Sequence, residues 1–397
     1  MTGCETIPYR AELREEVAEL HARSFGGDPA ASARYIRWKY EESSYIAEPL
    51  LYLARVGTRV VGMRGAYATV WDVPGAARPL VLPCFGDTVV DASHTSRGVF
   101  AALMEFALGD LSRRRFPYAL NLGATPVTLL NSLATGWRTV GRPIVLRRLS
   151  FGRRAHDRAA AVPALRRTYR KLRTATAAGQ AAPRGGDPFT RFDASAHSDD
   201  LTLAREPLPE AMAALAAETA CRARLRPAAD ASYLRWRFAD PWAAHRFVFA
   251  HDDRGLAAYL VLRGIAGHAR VVVVDWQARS PAVLRRLLAT AVTAGRWPET
   301  AVWSGRSEPG GLDPFLREGF ATTPATRAAG VLVRSTTVAQ PNAEWLLDGI
   351  DLLDERSWEL RLLPSERGIV DPPAVRASSR TNRRTPRLSL TERQALQ

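Results

Sequence analysis

The sequence predicts an α+β fold in which two related domains stand in tandem, each a central mixed sheet flanked by helices in an α/β/α arrangement. Three observations predict it. The segment Tyr35-Ile-Arg-Trp-Lys-Tyr40 reappears as Tyr233-Leu-Arg-Trp-Arg-Phe238. The segments around the two copies follow one order of helices and strands. Finally, 397 residues are too many for one ordinary domain and enough for two cores.

In the first half, residues 11–25 place Leu13, Val17, Leu20 and Ser24 at helical spacing among charged residues, which predicts an amphipathic helix. The helix of the first signature follows. Residues 50–56, the turn Gly57-Thr58 and the longer run from Arg59 towards Trp71 predict a hairpin, and Pro74-Gly75 turns the chain again. Residues 79–91 predict another strand. After a polar loop, the apolar period changes from 2 to 3.6 over a helix from Gly98 to about Arg114. A short strand at 118–122 leads into a helix over 126–134 that Gly136-Trp137 stops, and residues 138–151 close the half as a last strand or hairpin.

The second half repeats this order with losses: the helix around Tyr233, strands at 245–250, 256–263 and 269–276, a helix over 281–294, the strand 301–303, and a helix near Pro314. That last helix ends in Glu318-Gly-Phe320, which parallels Thr135-Gly-Trp137. The expected divisions are 1–152, a basic helical segment and linker at 153–195, 196–362, and a basic tail at 363–397 without fixed structure.

Composition narrows the function classes. Apolar residues at 46% and charged residues at 24% describe a globular chain with a packed core. No run approaches the ~20 apolar residues that a membrane-spanning helix needs, and residues 1–6 lack the basic and apolar regions of a secretory leader. Cys4, Cys84 and Cys221 are odd in number and far apart, which supports neither a disulfide framework nor a zinc site and fits a reducing cytoplasm. The net charge of +15 favours acidic ligands such as coenzyme A, nucleotides, tRNA or an anionic membrane face. Much of it lies in Arg153–Arg173 and beyond Pro364, as a solvated linker and tail or as a nucleic-acid surface.

The order of helix, helix, hairpin, strand, polar glycine loop, helix, strand, helix ending in Gly-aromatic, and strand resembles the GNAT acyltransferase superfamily. The paired Tyr-x-x-Trp helices resemble its bacterial tandem members. The resemblance covers most of residues 5–362, with the second half a degenerate copy. It implies an acyl-CoA-dependent N-acyltransferase that uses acetyl-CoA or another acyl-CoA, with an amine of a small molecule as acceptor. The family's cofactor loop, Arg/Gln-x-x-Gly-x-Gly/Ala, falls on Thr95-Ser96-Arg97-Gly98-Val99-Phe100. Backbone N–H groups at a helix start, with a glycine that permits close approach, suit a diphosphate. Arg97 adds a charge-assisted contact. Thr95 and Phe100 depart from the pattern, and the matching loop in the second half, Trp276–Ala282, has no glycine and is not expected to bind CoA. That half is expected to complete the acceptor cleft and to bury the first half's sheet edge.

Within the family, backbone N–H groups of the central strand hold the acyl carbonyl, here in the region of Val89, Val90 and Asp91. Asp87 and Asp91 are candidate bases, placed on one strand face by their spacing of four, and the alternative for each is a turn or capping carboxylate. His94 is a candidate proton shuttle or a plain loop histidine. Asn121 is a candidate contact for the pantetheine arm or a strand-end turn residue. Ser132 stands where the family often has a tyrosine acid, and Cys84 is expected to be buried packing. Tyr35 with Trp38 and Tyr233 with Trp236 form one aromatic stripe per helix and are read as core. Arg37, Lys39, Arg235 and Arg237 are candidates for an acceptor cleft between the halves. Two other functions share the architecture: a Fem-type transferase drawing an aminoacyl group from tRNA, and a non-catalytic binding protein.

Overall fold

The computed structural model describes residues 4–25, 27–43, 45–95, 98–124, 126–150, 188–193, 201–220, 224–264, 270–305, 311–322, 330–336 and 345–361. The basic segment 153–187, the tail from 362, Cys221, Ser96 and Arg97 lie outside them.

The first half runs β1 (Cys4–Pro8), α1 (Arg14–Phe25), α2 (Pro29–Ile36), β2 (Leu50–Val56), β3 (Arg59–Asp72), β4 (Leu80–Val90), α3 (Val99–Arg113), β5 (Tyr118–Ala124), α4 (Pro126–Ala134), β6 (Arg138–Gly141) and β7 (Ile144–Leu149). The second runs β8 (Leu201–Ala204), α5 (Pro209–Glu218), β9 (Arg226–Pro227), α6 (Ala231–Phe238), β10 (Ala244–Asp252), β11 (Gly255–Gly264), β12 (Arg270–Ala278), α7 (Pro281–Gly295), β13 (Glu299–Ser304), α8 (Asp313–Arg317), β14 (Ala321–Thr322) and β15 (Gly330–Ser335).

Local chemistry explains where the signature helices start. Asp28 caps α2 by accepting from Ala31 N at 3.1 Å, and Asp230 caps α6 by accepting from Tyr233 N at 2.9 Å. Beyond Ile36 the first copy continues through a π turn over Arg37–Glu41, whereas the second copy is an uninterrupted α-helix. Helix α3 turns Val99, Leu103, Ala107 and Leu111 inward at helical spacing, and all four are buried in one apolar cluster with Tyr52, Phe85 and Trp137.

Two large mixed sheets result, and each takes at least one strand from the other half, the first also pairing β9 with β3 at Trp71↔Pro227. The first has the order β1-β2-β3-β4-β5-β15-β6, so β15 from the second half lies between β5 and β6. The second has the order β14-β7-β13-β12-β11-β10-β8, so β7 from the first half pairs with β13 along six residues, from Leu149↔Glu299 to Ile144↔Ser304. The expected closing hairpin at 138–151 is therefore corrected: β6 and β7 adjoin in sequence and enter different sheets. The exchange covers the side of β5, while the terminal strands of that sheet, β1 and β6, both come from the first half.

The two signature helices meet between the sheets. Trp38 Nε1 donates to Trp236 O at 2.7 Å, Trp236 Nε1 donates to Trp38 O at 2.9 Å, and the indoles stack at 5.4 Å. Tyr35 stacks on Trp242 of the second half at 4.2 Å. The aromatic stripes are core, as their spacing predicts. The four basic residues beside them divide. Arg37 and Arg235 pair on the surface with Glu42 and Glu210, while Lys39 and Arg237 are buried in ion pairs with Asp87 and Asp240.

Candidate active site

The site forms where β4 changes course. Register between β3 and β4 runs regularly to Gly65↔Gly86 and resumes at Arg64↔Thr88, leaving Asp87 as the extra residue of a β-bulge, with φ +42°. The bulge corrects the expectation that Asp87 and Asp91 share a face, because one inserted residue reverses the alternation. Asp87 turns towards α1 and α2. Its Oδ2 accepts from Lys39 Nζ at 2.7 Å and from Tyr40 OH at 3.1 Å, and His21 Nε2 lies 4.0 Å from Oδ1. Lys39 and Asp87 are both buried. Gly65 makes this contact possible, since a Cβ there would lie 2.0 Å from the Tyr40 hydroxyl oxygen. The Asp87 carboxylate is thus committed to a buried ion pair that anchors the signature helix to the bulge.

On its other side β4 is open. It pairs in parallel with β5 at Cys84↔Leu120 alone, and among the described residues no strand pairs with that side of β4 beyond Cys84. Val89 and Val90 lie on this stretch, after the bulge. Asn121 lies within β5 and not at its end, opposite Leu332 of β15; it is buried, and its side-chain oxygen accepts from Gly123 N at 3.0 Å.

The polar loop follows β4. Asp91 ends the strand and caps a short turn over Ala92–His94, accepting from Ser93 N at 3.1 Å and Ser93 Oγ at 2.6 Å. Those hydrogen bonds from Ser93, reinforced by Arg59 at 3.1 Å, hold its carboxyl below the usual carboxylate range. The Ser93 hydroxyl has one proton and gives it to Asp91. Its 2.8 Å contact with His94 Nδ1 must then take a proton from the ring. This assigns a proton to Nδ1, and in the neutral ring Nε2 is then the acceptor. Thr95 is held by its hydroxyl on Ala92 O at 3.1 Å.

Helix α3 begins at Gly98, which adopts φ +74°, ψ 6° and whose missing Cβ would meet nothing within 4 Å. A glycine supplies no side-chain cap, and the first backbone bond returning to the start is Ala102 N to Gly98 O at 3.1 Å. The N–H groups of the first turn therefore have no helical acceptor and, among the described residues, no capping side chain. Along α3 runs a groove of about 260 Å³, lined by Phe100, Met104, Leu108 and, from the exchanged strand and its end, Arg334 to Thr336.

Sequence reasoning missed Arg64. It projects from β3 towards α3, as does Gly62 two residues earlier, where a Cβ would meet Val99 at 3.0 Å. Arg64 is 3% exposed, donates to Thr88 Oγ1, and lies 4.6 Å from the Phe85 ring and 5.9 Å from the Phe100 ring. Its Nε is buried without a hydrogen-bond partner. The available signal was one cation within the apolar run from Val60 to Trp71. Cys84 is buried as expected, and burial raises its thiol above the ordinary value.

The second half contains the same device in altered form. Register between β11 and β12 shifts between Val261↔Asp275 and Leu262↔Val273, which makes Val274 the bulge residue. Parallel pairing of β12 with β13 ends at Val273↔Val302. Here the opening is filled by the chain itself: Gly305 N donates to Leu360 O at 2.8 Å, Arg361 bridges to Ser304, and Arg361 also donates to Trp276 O and Asp275. Helix α7 starts with a Ser280 cap in place of a glycine. A pocket of about 420 Å³ remains outside this plug, bordered by Arg279, Ser280 and Arg361.

Residues 5–129, which contain the bulge, the loop and the start of α4, match the family model of the acetyltransferase (GNAT) domain. The chain carries a GNAT domain. Solved structures with the same GNAT architecture cover both halves. One is a protein of unknown function from Enterococcus faecalis, described as a probable N-acyltransferase, with 10% identity, a TM-score of 0.57, and coverage of 84% of this chain and 73% of that one. A second is a GCN5-related N-acetyltransferase from Anabaena variabilis, with 10% identity, a TM-score of 0.54 and the same coverages. At these identities the likeness is one of GNAT fold. No curated protein matches the chain.

Proposed function

We propose that the first half transfers an acyl group from acyl-CoA, acetyl-CoA in the simplest case, to an amine of a small molecule by direct attack in a ternary complex. One observation carries this reading: the open side of β4 is followed by an α3 start at Gly98 that has no capping side chain among the described residues. The first-turn N–H groups after Gly98, with Thr95, Ser96 and Arg97 before it, would receive the diphosphate. The main chain of Val89 and Val90 would face the thioester, and Asn121 would border the pantetheine from β5. Chain atoms fill the corresponding opening of the second half, which supports one cofactor per chain.

Acyl transfer forms the C–N bond, breaks the C–S bond and moves one proton from the amine towards the departing thiolate. Asp87 is occupied by Lys39, and Asp91 is held as a weak base. His94 Nε2 is the remaining acceptor, oriented through Ser93 by Asp91, and it takes the catalytic role in this proposal. Among the described residues no helix is long and apolar enough to cross a membrane.

Two variants test the reading. Gly98→Asp meets no neighbour within 4 Å, although the φ of +74° strains any side chain there, and it sets a carboxylate where the diphosphate would lie. It is expected to weaken CoA binding at least about 100-fold, consistent with about 3 kcal/mol from lost charge-assisted hydrogen bonds, while near-UV circular dichroism stays unchanged. Unaltered CoA affinity in calorimetry would refute the cofactor site. His94→Gln is expected to lower kcat about 100-fold, the lower range of general-base contributions, with CoA affinity unchanged. A kcat within twofold of wild type would remove His94 from the mechanism.

A further inference from the structure

Around the β4 bulge the buried charges do not balance. Lys39 and Arg64 are cations at 1% and 3% exposure, and Asp87 is the carboxylate between them. Lys39 occupies that carboxylate at 2.7 Å. Arg64 reaches only the neutral Thr88 hydroxyl and the faces of two aromatic rings, and it forms no ion pair among the described residues. Nearby Cys84 and Tyr67 do not supply the missing negative charge, because burial raises both groups and keeps them protonated. Burial pulls the Arg64 guanidinium down only to about 10, so it stays charged at neutral pH. A buried cation with an unused donor, which feels the Asp87 charge only at a distance and forms no ion pair among the described residues, is costly unless a ligand completes it.

Position selects the part of the ligand involved. Thr88, the acceptor of Arg64, is the first residue of β4 after the bulge, on the stretch open towards β5. The diphosphate position at Gly98 is exposed, whereas Arg64 is buried, 4.6 Å from the Phe85 ring and 5.9 Å from the Phe100 ring. A diphosphate at the surface does not satisfy it, and an acetyl methyl group offers nothing to it. We propose that Arg64 is a specificity residue that receives a carboxylate at the end of the acyl chain, so that the preferred donor is a dicarboxylic acyl-CoA of the malonyl or succinyl type. This rests on the acyltransferase reading above. Phe100, which replaces a small residue of the family's loop pattern, then acquires a role: its ring walls off the guanidinium from water and strengthens its attraction for a carboxylate.

The test is calorimetric binding of CoA, acetyl-CoA, malonyl-CoA and succinyl-CoA to the full chain and to Arg64→Met. Wild type is expected to hold one of the two carboxylated thioesters at least about tenfold more tightly than acetyl-CoA, as a charge-assisted pair implies. Arg64→Met is expected to erase that preference and to keep its affinity for acetyl-CoA. Equal affinities in wild type overturn the proposal and leave the CoA site standing, whereas binding of no thioester overturns both. A preference that survives in Arg64→Met also overturns the proposal. The wild-type comparison decides alone should the variant fail to fold.

Discussion

Residues 1–150 produced alone are expected to give no cooperative unfolding transition, although they contain the whole segment that matches the GNAT domain. Without β15, β5 loses its antiparallel neighbour and β6 loses its only pairing among the described residues. Strand β7 would have no sheet to enter. The aromatic face around Tyr35, Trp38 and Trp71 would lie open to water, since its covering residues Tyr233, Trp236 and Trp358 belong to the second half. A domain's net stability is only about 5–15 kcal/mol, and the loss of a strand and half a core exceeds it. Differential scanning calorimetry of the fragment is the check: a sharp endotherm near that of the full chain would show that the first half folds by itself. Coexpression with residues 151–397 is expected to restore one joint transition.

The second large effect belongs to the paired tryptophans. Trp38→Ala removes a stacked indole and also leaves the Trp236 carbonyl with only its longer bond from Ala239 N at 3.2 Å. A cost of about 4 kcal/mol is expected, in the range for buried Trp truncation. Trp38→Phe retains most of the ring and loses only the N–H, for about 1–2 kcal/mol. The two hydrogen bonds are reciprocal, so Trp38→Phe and Trp236→Phe should be non-additive in a double-mutant cycle by about 0.5 kcal/mol or more. Urea denaturation of the four proteins gives the values. Strict additivity, or a cost for Trp38→Ala below about 1 kcal/mol, would mean that the pair does not join the halves energetically.

How far the sequence disclosed this arrangement depended on whether the information was local. The turn at Gly57-Thr58, the helix Pro126–Ala134 and the period change into α3 are written in adjacent residues, and the structure has them at those places. The aromatic stripes were legible because a spacing of three fixes a helix face. Strand partners are a different matter. Ile144–Leu149 reads as a strand in any sheet, and nothing in its alternation says that β13, some 150 residues later, is its neighbour. Gly330–Ser335 escaped notice for the same reason: six residues carry little pattern, and its partners lie about two hundred residues earlier.

At the site, Gly98 was recognisable because only a helix start after a strand explains a glycine there. The bulge at Asp87 was not, since a single inserted residue leaves no mark on composition and inverts the facing of Thr88 to Val90. Arg64 was overlooked because the pattern of its strand is apolar, and a strand pattern describes a majority.

The exchange of β7 and β15 also imposes a timetable on the molecule. Ribosomes add about 5–20 residues per second, so β5 waits on the order of 10–40 s for the strand that completes its edge. Throughout that interval the nascent first half presents an unpaired edge and an uncovered aromatic surface, the features that chaperones bind and that aggregation exploits. The exchanged strands pair with partners about 150 to 210 residues away, which slows folding further. Yield of this protein in a foreign host should therefore be governed by temperature and chaperone supply during synthesis more than by the stability of the finished fold.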